Sequence, residues 1–213
     1  HKLDEPRRVK APSLIFVNSM SDLFWTEIPE AYRDRVVEVI EAPPQHQYQV
    51  LTKRADELLR YSRRRRLPRN FWAGVTVESA RTAHRLDTLR EVDTAIRFVS
   101  AEPLLTDLPV DWSGIAWVIT GGESGLHLRD PKVADRRSLA EHVDGRWRPR
   151  ADRMDWVRRI RDEARPAGAA LWHKQWGGVR PHSAGRELDG RTWDEMPTQH
   201  LGAGQWSHYA PRQ

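Results

Sequence analysis

The chain has 213 residues and no cysteine. That excludes disulfides, thiolate metal sites and iron–sulfur clusters within the chain as given. It lacks any apolar run near the roughly 18 residues that a membrane helix needs, and no signal peptide leads it. No membrane partner is expected, and a cytoplasmic location is. Lysine is scarce: Lys2, Lys10, Lys53, Lys132 and Lys174 are the only five among 35 basic residues, and the rest are Arg. This skew points to a GC-rich genome more than to a ligand, and it weakens any argument from a run of Arg. There is no HxH or HExxH spacing, so zinc is not expected, and neither a Walker loop nor a dinucleotide fingerprint is present. His46, His84, His127, His142, His173 and His182 are scattered and read as exposed or core residues.

What is present is a net charge of +5, ten Trp and a repeated plan of strand followed by polar tip. The charge permits an anionic partner. Residues 1–12 read as a polar linker. The chain opens on His1 rather than Met, so an upstream segment is expected. Leu14–Val17 is a short apolar strand that ends on Asn18, Ser19, Met20, Ser21 and Asp22. A helix follows Pro29, with Tyr32, Val36, Val39 and Ile40 at helical spacing. The second strand, Tyr48–Leu51, ends on Thr52, Lys53 and Arg54, and its helix turns Leu58, Leu59 and Tyr61 inward. The third, Phe71–Val77, ends on Glu78 and Ser79; a helix from about Ala80 places Leu86, Leu89 and Val92 inward. The fourth, Ile96–Val99, ends on Ser100, Ala101 and Glu102. The fifth lies in Ala116–Gly125 and stops on Gly121, Gly122, Glu123, Ser124 and Gly125. Residues 126–152 read as a charged insertion, a loop or lid with one helix near 135–142. A helix over Met154–Arg165 sets Trp156, Val157, Ile160 and Ala164 on one face. The sixth strand, Ala169–His173, ends on Lys174 and Gln175. Residues 179–213 read as an irregular extension packed on the barrel, with the last dozen loosely held.

Six strands alternating with mostly helical connections predict parallel pairing through right-handed crossovers. A complete eight-stranded barrel takes about 250 residues, so the fold class expected is α/β, a partial (β/α) barrel over residues 13–178. Function then belongs at the carboxyl ends of the strands, on one rim. Asp22 and Ser79 have a second reading there, as helix caps. Bare amides of Gly121 to Gly125 could cradle a carboxylate or phosphate, and Glu123 could accept from a ribose hydroxyl or an ammonium group. Asp22, Glu78, Glu102 and Glu123 form a candidate Mg or Mn set, which is the metal-dependent hydrolase alternative. Lys53, Arg54, Arg63, Arg64, Arg65 and Arg66, with the 126–150 loop and nearby Trp, form a candidate nucleic-acid surface, the non-catalytic alternative; the favoured reading of the Arg63–Arg66 run by itself is a solvated helix end. Trp72, Trp117 and Trp156 read as core, while Trp25, Trp176 and Trp193 lie beside polar tips where one could stack on a base.

Seven stretches in order, FVNSMSDLF at 16–24, QVLTKR at 49–54, GVTVE at 74–78, RFVSAEPLL at 97–105, WVITGGESG at 117–125, KQWG at 174–177 and LDGRTWDEMP at 188–197, resemble a phage-associated, radical-SAM-like family of three-cysteine-motif proteins, largely uncharacterised. The resemblance covers nearly the whole chain. It implies a radical-SAM-type partial barrel with an upstream strand and a three-cysteine loop holding a [4Fe–4S] cluster, so that Leu14–Val17 is the second strand of the complete protein. It implies a reduced cluster that cleaves S-adenosylmethionine, giving a radical that abstracts hydrogen from a substrate. On it, Asn18, Ser19, Ser21, Asp22, Gly121, Gly122, Glu123 and Ser124 face the cofactor. Lys53, Arg54, Glu78, Glu102 and Lys174 face the substrate, of which a nucleotide or nucleic acid is one candidate; a partner protein is another expectation. Trp25 stands where the resemblance leads us to expect His, and Ala101 where it leads us to expect Cys. Without its cluster the chain as given is expected to be inactive.

Overall fold

The computed structural model describes residues 2–43 and 45–197. After a 3-10 helix over Lys2–Arg8, the chain runs β1 (Leu14–Val17), α1 (Glu30–Glu41), β2 (Gln47–Thr52), α2 (Ala55–Arg64), β3 (Phe71–Thr76), α3 (His84–Arg90) and β4 (Ile96–Ala101). It continues through β5 (Trp117–Gly121), α4 (Pro131–Arg137), β6 (Ala140–Val143), β7 (Arg146–Pro149), α5 (Ala151–Ala164) and β8 (Ala170–Gln175). Six parallel strands form a curled sheet in the order β1-β2-β3-β4-β5-β8, so the fold is the expected α/β partial barrel. Among the described residues no helix is long and apolar enough to cross a membrane.

The chain divides into two compact units, one of His1–Val75 with Thr88–Arg97, the other of Thr76–Asp87 with Phe98–Met196. In the first unit residues 71–75 of β3 are all buried, as expected of a strand covered on both faces. Helix α2 buries Ala55, Leu58, Leu59 and Tyr61 and turns its arginines outward. Helix α1 buries Val36, Val37, Val39 and Ile40 as the period requires, and adds a residue that its charge would place outside, Arg33. Tyr32, expected on the inner face, is exposed.

In the second unit the core gathers around Phe98, Val118, Val157, Ile160, Leu171 and four tryptophans, 112, 117, 176 and 193. Each of the last three donates its indole N–H to a backbone carbonyl: Trp117 to Glu195 at 2.9 Å, Trp176 to Glu187 at 2.8 Å and Trp193 to Leu188 at 3.1 Å. A buried indole needs such an acceptor. These bonds tie residues 187–195 into the unit, with Leu188 fully buried. The last dozen residues lie outside the described ones. Trp176 and Trp193 are therefore core residues, not stacking platforms at polar tips. Trp156 is half-buried beneath the Arg153 guanidinium, 5.1 Å from its ring.

The insertion also differs from expectation. Instead of a helix at 135–142 it holds α4 and an antiparallel hairpin, β6–β7. Asp130 accepts from the Lys132 amide at 2.9 Å, with Pro131 next in line, so the helix starts early. Asp144 and Gly145 then sit at φ +50° and +76°, the two positive values of a hairpin turn of type I′. The Asp-Gly signal lay hidden in a run of charges. Between Ala80 and Arg90 the chain makes a 3-10 turn (Ala80–Thr82) and only then α3; Leu86, Leu89 and Val92 are buried as expected.

Candidate active site at the strand tips

The first unit holds the tips of β1 and β2. Asn18 leaves β1 in the left-handed region, φ +57°, and its carbonyl accepts the Ser21 amide at 3.0 Å. That turn aims Asp22 at β2. Asp22 Oδ1 accepts from the Thr52 hydroxyl at 2.7 Å and the Phe24 amide at 2.9 Å, and Oδ2 accepts from the Lys53 amide at 2.9 Å. Asp22 therefore splices two tips and is not a helix cap. Ser19 and Ser21 are exposed, as are the side chains of Lys53 and Met20. The Arg54 guanidinium lies 4.3 Å above the exposed ring of Trp25.

Beneath this loop sits Arg33, 1 % exposed. Its Nε donates to the Leu23 carbonyl at 3.2 Å, one terminal nitrogen to Trp25 O at 2.8 Å, and the other meets Glu57 at 3.4 Å. A buried guanidinium is tolerated only when paired and hydrogen-bonded, and here it fixes the carbonyls of the β1 loop. The arginine run at the end of α2 is engaged in the same way. Arg63 meets Glu91 at 2.6 Å, Arg64 meets Asp34 at 2.5 Å, and Arg65 meets Glu41 at 3.1 Å. Arg66 is exposed. The run is a salt-bridged helix end.

The second unit holds Glu78, Glu102, Gly121 to Ser124 and Lys174. Glu78, after β3, meets Arg85 at 3.5 Å, while Arg85 donates to the Thr76 carbonyl at 2.7 Å. Ser79 precedes the 3-10 turn as its N-cap. Glu102, after β4, has a side chain only 20 % exposed. Its Oε1 lies 3.5 Å from Lys174 Nζ and its Oε2 accepts from Ser100 Oγ at 3.3 Å. Burial raises the Glu102 carboxyl above its ordinary range; Lys174 and Ser100 oppose that without cancelling it. Gly121 makes the room: a Cβ there would overlap Glu102 Oε1.

Glu123 is held by Arg137, which donates to its two oxygens at 2.6 and 3.0 Å, and by His127 Nε2 at 3.1 Å. The fork geometry pins the inserted helix α4 to the tip of β5. The glycines around Glu123 do not form an anion cradle. Gly122 donates to the Gln175 carbonyl at 2.8 Å, Gly125 to Gly178 at 3.0 Å, and Gly178 to Glu123 at 3.1 Å. A Cβ on Gly122 would overlap the Trp176 carbonyl. The residues are small because two backbones meet there. Ser124 Oγ is buried without a hydrogen-bond partner among the described residues. Among the described residues no group of three or more His, Asp or Glu side chains is placed to hold a metal ion.

Arg33, Thr52, Arg85 and Arg137 complete these tips and were not singled out from the sequence. Thr52 alone had a signal, its place directly after a strand. The others reach their partners across 7 to 14 residues or more, a distance no local spacing reveals.

Fold and tips together define a partial (β/α) barrel with a largely buried carboxylate facing an ammonium group at the carboxyl ends of its strands. The chain belongs to the DUF5131 family, described as proteins of unknown function, whose model matches residues 1–146 and 143–197. No curated protein and no solved structure matched the chain.

Proposed function

We propose that the chain is an enzyme domain of the radical-SAM-like class whose own contribution is an acid–base pair, Glu102 and Lys174. The observation that carries this is the placement of Glu102. A carboxyl group is kept largely from water at a strand tip, in a notch left by Gly121, against an ammonium 3.5 Å away. A structural ion pair gains little from such an arrangement, because desolvation offsets much of its Coulombic attraction. A proton-transfer group does gain, since its carboxyl is moved toward the operating pH. Glu102 Oε1 holds or accepts the proton, and Lys174 stabilises the carboxylate that remains.

The class is supported by the seven motifs and by the barrel. Its cluster, however, does not fit the residues present: with no cysteine, the chain offers no thiolate. The groups expected at S-adenosylmethionine are largely engaged as well. Asp22 and Glu123 each accept three bonds within the chain, out of about four that a carboxylate can take. A cytoplasmic setting and the phage association belong to the same reading.

Two measurements test it. Carbon-13 NMR of glutamate carboxyls is expected to show one group titrating above the ordinary range, absent from Glu102→Gln; no such group would refute the acid–base pair. Calorimetry with S-adenosylmethionine and S-adenosylhomocysteine is expected to show saturable binding. Its absence removes the radical-SAM-like class while leaving the pair.

A further inference from the structure

Residues 126–150, between β5 and α5, carry seven Lys or Arg against four Asp or Glu. Three of the four carboxylates are already used. Asp130 starts α4 through the Lys132 amide at 2.9 Å, Asp135 meets Arg150 at 3.1 Å, and Glu141 meets Arg148 at 3.0 Å. Arg137 belongs to Glu123. Arg129, Lys132, Arg136 and Arg146 are left exposed, with no carboxylate partner among the described residues.

These four cations are not scattered. Lys132 and Arg136 are four apart on α4 and share a face. The 3-10 turn that ends on Arg129 packs on α4, α4 packs on β6, and β6 pairs with β7, where Arg146 stands. The piece is anchored at both ends, by Arg137 on Glu123 and by Arg153, which donates to the Ser138 carbonyl at 2.6 Å. On the hairpin, His142 faces Trp147 with ring centres 5.4 Å apart and remains exposed. Arg63, Arg64 and Arg65 each meet a carboxylate, whereas these four cations of the insertion meet none among the described residues.

We propose that the insertion is a docking surface for nucleic acid, with Arg129, Lys132, Arg136 and Arg146 on backbone phosphates. Guanidinium and ammonium groups held in place on a packed element suit phosphates spaced along a strand. The surface stands apart from the Glu102 reading and does not depend on it.

The test is fluorescence anisotropy of end-labelled oligonucleotides, single- and double-stranded, on the full chain. Four phosphate contacts give a slope of log affinity on log salt of about −3 to −4, or roughly a 100-fold loss between 50 and 200 mM salt. The Lys132→Glu, Arg136→Glu double variant is expected to bind at least tenfold more weakly, with a flatter slope. Arg63→Gln with Arg64→Gln removes as many cations elsewhere and is expected to bind as the parent does, as is Glu102→Gln. Unfolding midpoints of all variants control for folding. Binding that ignores salt, or that the insertion variant leaves intact, overturns the proposal. So does equal affinity for poly-glutamate of matched length, which would make the partner an acidic polypeptide. Loss of oligonucleotide binding in Glu102→Gln alone would move the surface away from the insertion.

Discussion

Gly122 and Trp176 meet backbone to backbone, so closely that a Cβ on residue 122 would overlap the carbonyl oxygen of Trp176. The contact joins the tips of β5 and β8, and it recasts a glycine run that suggested ligand binding. The amide of Gly122 is already spent on Gln175. Gly122→Ala is therefore expected to destabilise the protein by about 1–3 kcal/mol, the range for forcing a methyl group into packed structure. Urea denaturation checks this, and an unchanged midpoint would show that the two tips separate easily.

Gly121 faces a different neighbour, the Glu102 carboxylate. Gly121→Ala is expected to push Glu102 Oε1 out of its notch toward water. The raised Glu102 titration then falls back toward the ordinary carboxyl range, read by the same carboxyl NMR. A raised carboxyl is a stability term with a sign: it favours the fold at low pH and is lost as pH rises through the folded value. Glu102→Gln should thus be more stable than the parent at alkaline pH, with the difference vanishing in acid.

His173 gives a pH dependence of the opposite sense. It is fully buried, with Nδ1 2.9 Å from the Thr120 hydroxyl and Nε2 without a partner among the described residues. Burial, aided by the Arg186 charge, lowers its value from 6.5 to about 3. The unfolded chain binds the proton first, so the contribution of His173 is complete above pH 6.5 and declines as pH falls toward 3. The slope it adds is at most about 1.4 kcal/mol per pH unit. His173→Gln is expected to flatten the curve across the acid side of that window, measured by denaturation at stepped pH. An equally steep curve in the variant would place the acid sensitivity elsewhere.

Asp22 serves three donors at once. Asp22→Ala leaves the Thr52 hydroxyl and the Phe24 and Lys53 amides to find water. Because the group is half-buried, a loss of about 1–3 kcal/mol is expected. Amide exchange should rise at residues 22–25 and 52–54 and not in β3; a uniform rise would instead mean global destabilisation.

Arg137→Ala tests the anchor of the insertion. An exposed pair adds little to global stability, about 1 kcal/mol or less. Amide exchange across 126–150 is nevertheless expected to quicken several-fold, because Glu123 holds α4 to the β5 tip. The same result is expected of Glu123→Gln.

The strands were legible because each is a short apolar run that is stable only when buried, and each ends abruptly on polar residues. That alone placed Glu78, Glu102, Glu123 and Lys174 at strand ends, and it predicted parallel pairing from the alternation with helices. The hidden hairpin, the burial of Trp176 and Trp193 and the engagement of Arg63 to Arg65 were not legible. Charge and indole are ambiguous locally: a Trp beside glycines reads as a platform until its N–H finds the Glu187 carbonyl. Arg33 carries no local signal and is the support of the β1 loop.

What the sequence determined by itself is the period of burial, hence the six strands and the residues at their ends. What only the tertiary structure decided is which of those residues remain available. Asp22 and Glu123 are taken up by distant donors, and Glu102 is kept in its notch by the missing side chain of Gly121 nineteen positions on. The alternation of apolar and polar residues is written in neighbouring positions, whereas a hydrogen-bond partner is chosen by the fold.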